Sequence, residues 1–195
     1  MGNIYNIFMI GVGGQGIGLL SEALIRAAFY AQLDAKGVDT HGLAQRGGTV
    51  TSQLRLGQNV FSPLIQEGTA DICIALERHE ALRGMNSHLK DHGTLVYYDA
   101  MWQPLGVRLG KDKELQTSTI EAEAKRRGIN YNRVFVEDLA NSKTQNVVVL
   151  AILAKKNLIP GIAKEDYLKA ISDLLKGSLL QQNIDLFNQV YENGA

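Results

Sequence analysis

The chain has 195 residues, of which 45% are hydrophobic and 21% are charged, as is typical of one soluble globular domain. Twenty basic residues balance twenty acidic ones, so the overall charge gives no reason to expect a nucleic acid or a membrane surface as partner. A single cysteine, Cys73, excludes an internal disulfide and a four-cysteine iron–sulfur cluster held by this chain alone.

The first part of the chain is predicted to form a strand, a helix and then further strands. "YNIFMIG" is a short hydrophobic run that ends in glycine, and "IGLLSEALIRAAFYAQL" repeats hydrophobic residues at helical spacing. "AKGVDTH" predicts a short second strand, and "TVTSQLRLG" alternates as a half-exposed strand does. After the turn "GQN", the run "VFSPLI" is predicted to return beside it as a hairpin partner.

The second part of the chain is predicted to alternate strands with helices and to end in helices. "ADICIALE", "GTLVYYDA" and "NRVFVED" are predicted strands, and "RHEALRGMNSHLK" and "TSTIEAEAKRRG" are predicted helices. The hydrophobic "TQNVVVLAILAKKNL" predicts a buried helix, and two amphipathic helices follow it. We therefore expect an α/β fold in one domain over residues 1–195: a doubly wound, largely parallel, Rossmann-like sheet with an antiparallel hairpin departure and C-terminal helices.

The glycine-rich stretch "IGVGGQGIGLLSEAL" joins the first strand to the first helix, where a phosphate-binding turn is expected. Backbone amides at the start of the helix would receive an anion there, and Gln15 is predicted to lie at an exposed tip. The candidate cofactor-binding residues are Gly11, Gly13, Gly14, Gln15 and Gly16.

Three interpretations of this loop remain open from its residues alone. NAD binding requires a carboxylate about 20 residues further on, and Asp34 and Asp39 lie near that distance. ATP adenylation is a weaker alternative, because the chain has one cysteine and no acidic segment after the second strand. The glycines would otherwise serve only a tight crossover and the packing of a partner. A stand-alone nucleotide-binding module for NAD or ATP is accordingly the alternative function.

A second polar loop, "GVDTHGLAQRGGTV", follows the predicted second strand. Arginine binds phosphate or carboxylate bidentately, histidine titrates near neutral pH, and paired glycines allow a close backbone approach. The candidate substrate or interface residues in this loop are His41, Gln45, Arg46, Gly47 and Gly48. An ordered interface loop without a ligand is an equally open interpretation.

Other polar residues give weaker signals, and no catalytic residue or metal ligand is assigned. We expect His79, His88 and His92 to be solvated on or beside a surface helix. Glu77 and Asp99 end predicted strands, where each could face a cleft or cap the following turn. Cys73 is expected to be a buried small hydrophobic residue.

"GVGGQGIGLLSEAL", "GVDTHGLAQRGGTV" and "ADICIALE" together resemble the gamma-type domain of the pyruvate/2-oxoacid:ferredoxin oxidoreductase family. The resemblance covers most of the chain, depends on the spacing of the two glycine-rich loops, and is looser in the C-terminal helices. Within this family, the chain is most similar to the beta (small) subunits of indolepyruvate ferredoxin oxidoreductases.

The resemblance implies a subunit that is inactive alone, in an enzyme that oxidatively decarboxylates a 2-oxoacid to an acyl-CoA with electrons passing to ferredoxin. It favours indolepyruvate or another aryl pyruvate as substrate and implies a coenzyme A contact at the glycine loop. A large partner subunit is expected to carry thiamine diphosphate and the iron–sulfur clusters, because this chain has no G-D-G…N-N segment and one cysteine.

Cellular context follows from the same sequence. We expect a cytoplasmic protein, because no signal peptide and no hydrophobic run of about 18 residues is visible. The isolated chain is expected to expose a patch where its partner docks, which a homodimer would hide.

Overall fold

A computed structural model of the protein describes residues 4–40, 48–102, 107, 109, 113–137, 139 and 141–195. Within this part, six strands form one sheet in the order β2-β3-β1-β4-β5-β6. The strands are β1 (Tyr5–Val12), β2 (Ala35–Thr40), β3 (Thr49–Leu56), β4 (Ala70–Ala75), β5 (Leu89–Tyr98) and β6 (Asn130–Val134). The α-helices are α1 (Ile17–Tyr30), α2 (Arg78–Ser87), α3 (Thr117–Arg126), α4 (Gln145–Lys155), α5 (Lys164–Leu174) and α6 (Gly177–Asn193).

The sheet is largely parallel, with one antiparallel departure, as the sequence predicts. Strands β1, β4, β5 and β6 pair in parallel, whereas β3 is antiparallel to both β1 and β2. Residues alternate between the two faces of the sheet: Ile7 and Met9 of β1 enter one hydrophobic core, and Phe8 and Ile10 enter the other. Helices α1, α4, α5 and α6 cover the first face, and α2 and α3 cover the second. The fold is therefore doubly wound around β1 and β4.

The predicted hairpin partner "VFSPLI" is wrong, because residues 60–65 form no strand. Both edges of β3 are already paired, one with β1 and the other with β2. Residues 60–65 instead lie against side chains of β3: the Ile65 amide donates to Gln53 Oε1 at 2.6 Å, and Arg55 Nη1 donates to the Ser62 carbonyl at 3.0 Å. The hairpin partner of β3 is β2.

Helix α2 sits close to the sheet at Gly84. A Cβ at this glycine would lie 2.7 Å from Cys73 Sγ and 2.9 Å from Ile10 Cγ2, so a larger residue would push the helix outward. Cys73 is buried, as predicted, and burial raises the pKa of its thiol to about 12. It is thus an unreactive core residue.

Helix α4 is the buried helix that its hydrophobic sequence predicts. Nine consecutive residues, 145–153, are buried on all sides of the helix. In the part of the chain that the structure describes, no helix is long and hydrophobic enough to cross a membrane.

Candidate functional site

The winding of the chain changes direction between β1 and β4. Helix α1 leaves β1 toward one face of the sheet, and α2 leaves β4 toward the other. A crevice between the carboxyl ends of two such strands is where doubly wound proteins bind ligands. The glycine-rich loop stands at this point, as the sequence predicts, and residues 76 and 77 stand beside it.

Close packing explains two of the loop's glycines. A Cβ at Gly11 would lie 2.9 Å from the Ile17 side chain and 3.1 Å from Gln15 Oε1. Gly16, the residue before α1, has a φ of 86°, and a Cβ there would lie 2.7 Å from Asn146 Nδ2. Asn146 is buried at the start of α4. The two glycines allow the loop to close against α1 and α4.

The prediction that Gln15 lies at an exposed tip is wrong. Only 4% of this residue is exposed, and its side chain lies in the crevice itself. Gln15 Oε1 accepts from the Val12 amide at 2.8 Å, and Nε2 donates to the Leu76 carbonyl at 2.9 Å. Gln15 therefore joins the end of β1 to the end of β4 and fills the space between them.

Some backbone amides of the glycine loop donate a hydrogen bond within the protein, and others do not. The Gly13 amide donates to the Gly48 carbonyl at 2.8 Å and is not free for a ligand. The Gln15 amide donates to the Val12 carbonyl at 3.1 Å. The amides of Gly14, Gly16 and Gly18 make no hydrogen bond to another described residue. These three amides lie at the positive end of the α1 dipole, where an anion is favoured.

Gly48 is the one candidate of the second polar loop within the described residues. It is held beside the glycine loop by the hydrogen bond from Gly13. His41, Gln45, Arg46 and Gly47 lie outside the described residues. Their proposed roles therefore remain predictions from the sequence.

Glu77 lies in the neighbouring junction, between β4 and α2, and is 1% exposed. Its Oε2 accepts from the Glu80 amide at 2.9 Å and so caps α2, one of the two alternatives that the sequence leaves open. Its Oε1 lies 3.0 Å from His79 Nδ1 and accepts from the Trp102 amide at 3.1 Å. Glu77 thus fixes both α2 and the segment that follows β5.

Glu80 is a buried carboxyl group that the sequence analysis did not single out. Its Oε1 accepts from the Thr49 hydroxyl at 3.2 Å, and its Oε2 makes no hydrogen bond among the described residues but lies 3.4 Å from Arg83 Nε. Burial raises the pKa of Glu80, and the nearby Glu77 adds to this, whereas Arg83 and Thr49 oppose it. Its only sequence signal is the spacing from Glu77, which places an acid in the first turn of α2.

Asp99, at the carboxyl end of β5, is paired rather than free. Arg78 donates to its two oxygens at 2.6 and 3.1 Å, and Arg133 donates to Oδ2 at 2.6 Å. Burial raises the pKa of Asp99, but the hydrogen bonds from the two guanidinium groups outweigh this and leave the pKa below its usual value. Asp99 therefore holds α2 and β6 to the end of β5.

The three histidines differ in environment. His92 is exposed as predicted, but His88 stacks on Phe8 with ring centroids 3.8 Å apart, and burial lowers the pKa of its imidazole. His88 is partly exposed, whereas His79 is mostly buried against Glu77, so the prediction of a solvated side chain is wrong for His79. Among the described residues, no three histidine, cysteine or acidic side chains are grouped as a metal ion requires.

The sheet order disfavours an NAD site. In a dinucleotide-binding sheet, the carboxylate that holds the ribose follows the strand next to β1. Here β3 lies between β1 and β2, so Asp39 of β2 is two strand spacings, about 10 Å, from β1. Gln15 also bridges the ends of β1 and β4, where a dinucleotide would enter between the strands.

Comparison with known sequences identifies relatives over almost the whole chain. A family model for pyruvate ferredoxin/flavodoxin oxidoreductase matches residues 6–193. Indolepyruvate oxidoreductase subunit IorB of Archaeoglobus fulgidus is 35% identical over 191 residues, covering 95% of this chain and 93% of that protein. Subunit IorB of Thermococcus kodakarensis is 31% identical over 200 residues, covering 98% and 94%.

Solved structures share the fold. The gamma subunit of a keto/oxoacid ferredoxin oxidoreductase from Geobacter sulfurreducens has a TM-score of 0.64 at 21% identity, over 97% of this chain and 98% of that chain. A 2-oxoglutarate:ferredoxin oxidoreductase from Magnetococcus marinus, with 2-oxoglutarate, coenzyme A and succinyl-CoA bound, has a TM-score of 0.73 at 18% identity. That match covers 100% of this chain but 31% of the other, so in that protein the fold is one part of a longer polypeptide.

Proposed function

This chain belongs to the pyruvate ferredoxin/flavodoxin oxidoreductase family and is a subunit of an oxidoreductase, and we propose that its enzyme oxidatively decarboxylates an aryl pyruvate, with indolepyruvate as the first candidate. The 2-oxoacid loses CO₂, its acyl group is transferred to coenzyme A, and the two electrons released pass to ferredoxin. The observation that carries the proposal is the match over almost the full chain to subunits named for indolepyruvate.

The proposal assigns thiamine diphosphate and the iron–sulfur clusters to a larger partner subunit. Cys73 is the only cysteine of the chain, is buried and has a raised thiol pKa, so its environment does not fit a cluster ligand. When bound to the partner, thiamine diphosphate supplies the carbanion-stabilising chemistry that decarboxylation requires. This chain would then contribute binding and positioning rather than electron transfer.

Coenzyme A is the proposed ligand of the glycine loop. Its phosphates are anions, and the amides of Gly14, Gly16 and Gly18 make no other hydrogen bond within the described residues. Gly48, held beside this loop, follows directly on the sequence that contains His41, Gln45 and Arg46. We propose that these three side chains position coenzyme A or the 2-oxoacid where the two subunits meet.

Reconstitution tests the proposed function. The purified chain is mixed with the large thiamine- and cluster-bearing subunit of its own organism, and dye reduction is followed with indolepyruvate, phenylpyruvate, pyruvate or 2-oxoglutarate. We expect reduction that requires both subunits and coenzyme A and is fastest with an aryl pyruvate. Tight NAD binding by the isolated chain in calorimetry, with no activity on mixing, would contradict the proposal.

An arginine series tests the coenzyme A contact. In the reconstituted enzyme, Arg46→Ala should raise the KM for coenzyme A at least tenfold, because a charge-assisted contact to phosphate is lost. Arg46→Lys should recover only part of the affinity, since lysine keeps the charge but not the bidentate geometry. Lys36→Ala, at an exposed position of β2, is the matched control and should leave the KM unchanged. An unaltered KM in Arg46→Ala would remove Arg46 from the proposed site.

A further inference from the structure

Three large exposed hydrophobic side chains lie where the parallel strands β5 and β6 have their carboxyl ends, beside Asp99 of the candidate site. We call this end of the sheet its carboxyl edge. The three side chains are those of Met101, Trp102 and Phe135, which we call the carboxyl-edge patch. Met101 and Trp102 follow β5, and Phe135 directly follows β6. The Trp102 amide donates to Glu77, and the residue before Glu77, Leu76, accepts from Gln15. The patch is thus connected to the glycine loop by consecutive hydrogen bonds.

Polar groups beneath the carboxyl-edge patch hold it in place. Arg78, which is paired with Asp99, places Nη1 3.0 Å from Met101 Sδ, and its amide donates to the Ala100 carbonyl at 3.0 Å. Arg133, on the other side of Asp99, lies over the Phe135 ring at 5.8 Å. Trp102 is 53% exposed although its backbone is fixed by Glu77. Tryptophan and arginine are enriched in interface hot spots, and this patch combines Trp102 with Arg78 at Met101 and Arg133 at Phe135.

We infer that the carboxyl-edge patch is the docking surface for the large subunit, with Trp102 inserting into a hydrophobic pocket of that partner. The inference rests on the proposed function, because it names the surface by which the proposed small subunit completes its enzyme. In the Magnetococcus marinus protein this fold is 31% of a longer chain, so there the same fold is covalently joined to further polypeptide. As a subunit, this chain would contact its partner through its own exposed surface.

The residues of the carboxyl-edge patch indicate what the facing surface of the partner must offer. A pocket for an indole ring must be hydrophobic, and its rim must offer an acceptor to Arg133, whose side chain is half-exposed and bonds Asp99 through Nε. Docking at this edge also brings the partner to the open side of the glycine loop, where coenzyme A would bind between the subunits. The opposite, amino edge carries a second pair of exposed residues, Phe61 and Leu64, which serves as the internal comparison.

The single tryptophan of the chain provides a direct test. The small subunit is produced with 5-hydroxytryptophan at position 102, which is excited at longer wavelength than the partner's tryptophans. Acrylamide quenching is then measured before and after addition of the large subunit. We expect the quenching constant to fall at least fivefold in the complex. An unchanged constant in a complex that forms would overturn the docking surface while leaving the proposed function standing.

Two substitutions complete the experiment, with affinities measured by calorimetric titration into the large subunit. Trp102→Ser should weaken binding at least tenfold, and its backbone amide still donates to Glu77, so the fold is kept. Phe61→Ser, at a residue that is 89% exposed on the amino edge, should change affinity less than twofold. The reverse result, a loss with Phe61→Ser and none with Trp102→Ser, would overturn the inference. Failure of the unsubstituted chain to bind would overturn the proposed function together with it.

Discussion

Two strand–helix junctions lie side by side at the centre of the sheet. They differ in how they treat the unpaired backbone amides at the start of the helix. The junction between β1 and α1 is built from glycines, and α1 begins without a side-chain cap. The junction between β4 and α2 is acidic, and Glu77 caps α2 with its own carboxylate. An anion is therefore favoured at the first helix end and repelled at the second.

The two junctions are also joined by one side chain of the glycine-rich turn. Gln15 is held by both junctions, through the Val12 amide and the Leu76 carbonyl. It closes the crevice that a dinucleotide would enter but leaves the amides of Gly14 and Gly18 on the outer surface. The proposed coenzyme A contact would therefore lie on the outer surface of the loop rather than between the ends of β1 and β4.

Removing the hydrogen bonds by which Gln15 joins the two junctions should have the largest effect on stability. In Gln15→Met the side chain keeps a similar length but leaves the Val12 amide and the Leu76 carbonyl without their partner. Each buried unsatisfied group costs about 1–3 kcal/mol, so the loss of two should lower the free energy of unfolding by about 2–6 kcal/mol. Urea denaturation measures this, with Gln182→Met at an exposed position of α6 as control. A loss below that of the control would show that the bridge is dispensable.

A substitution in the junction between β1 and α1 should lower the free energy of unfolding somewhat less. Gly16→Ala forces a side chain into a φ of 86° and 2.7 Å from Asn146 Nδ2, so we expect a loss of about 2–4 kcal/mol. Gly18→Ala is the matched control, because no atom lies within 4 Å of its Cβ position and alanine favours a helix. Thermal unfolding should show opposite shifts for the two variants. Equal shifts would mean that the contact with Asn146 does not constrain the loop.

The sheet and most helices could be predicted from the sequence because their signal is local. The eight-residue hydrophobic run 147–154 predicts helix α4, the alternation of residues predicts strand β3, and the glycines predict the turn between β1 and α1. The hydrophobic residues of "VFSPLI" are compatible with a strand, which is why the local pattern predicts one there. What excludes a strand there is the pairing of both β3 edges, which is not a local property.

The candidate site was predicted less completely, because its chemistry depends on contacts between distant residues. The orientation of Gln15 follows from the carbonyl of Leu76, 61 residues away, and no pattern in the loop indicates it. Asn146 gave a usable signal, since a polar residue at the head of a hydrophobic helix requires a partner, which is Gly16. The Arg78 and Arg133 pairing with Asp99 joins three separate elements and had no such signal.

The smallest expected effects are on the pH dependence of stability. Glu80, at the acidic junction, and Asp99, beside it, should contribute with opposite sign. Burial raises the pKa of Glu80, so its stabilising contribution is complete below the unfolded pKa of about 4.3 and is lost as pH rises through the folded pKa. The pKa of Asp99 is lowered by its two arginines despite burial, so its contribution is complete above about 3.9 and is lost as pH falls through the folded pKa.

Stability measured by urea denaturation from pH 3 to pH 8 should therefore separate the two carboxyl groups. Glu80→Gln should remove a decline in stability above about pH 4, and Asp99→Asn should remove a rise in stability as pH approaches about 4 from below. Glu123→Gln on the exposed surface of α3, where the pKa is lowered by Arg126, controls for a surface carboxylate. If Glu80→Gln left the slope above pH 4 unchanged, the buried carboxyl beside Thr49 would not be the group that makes the acidic junction sensitive to pH.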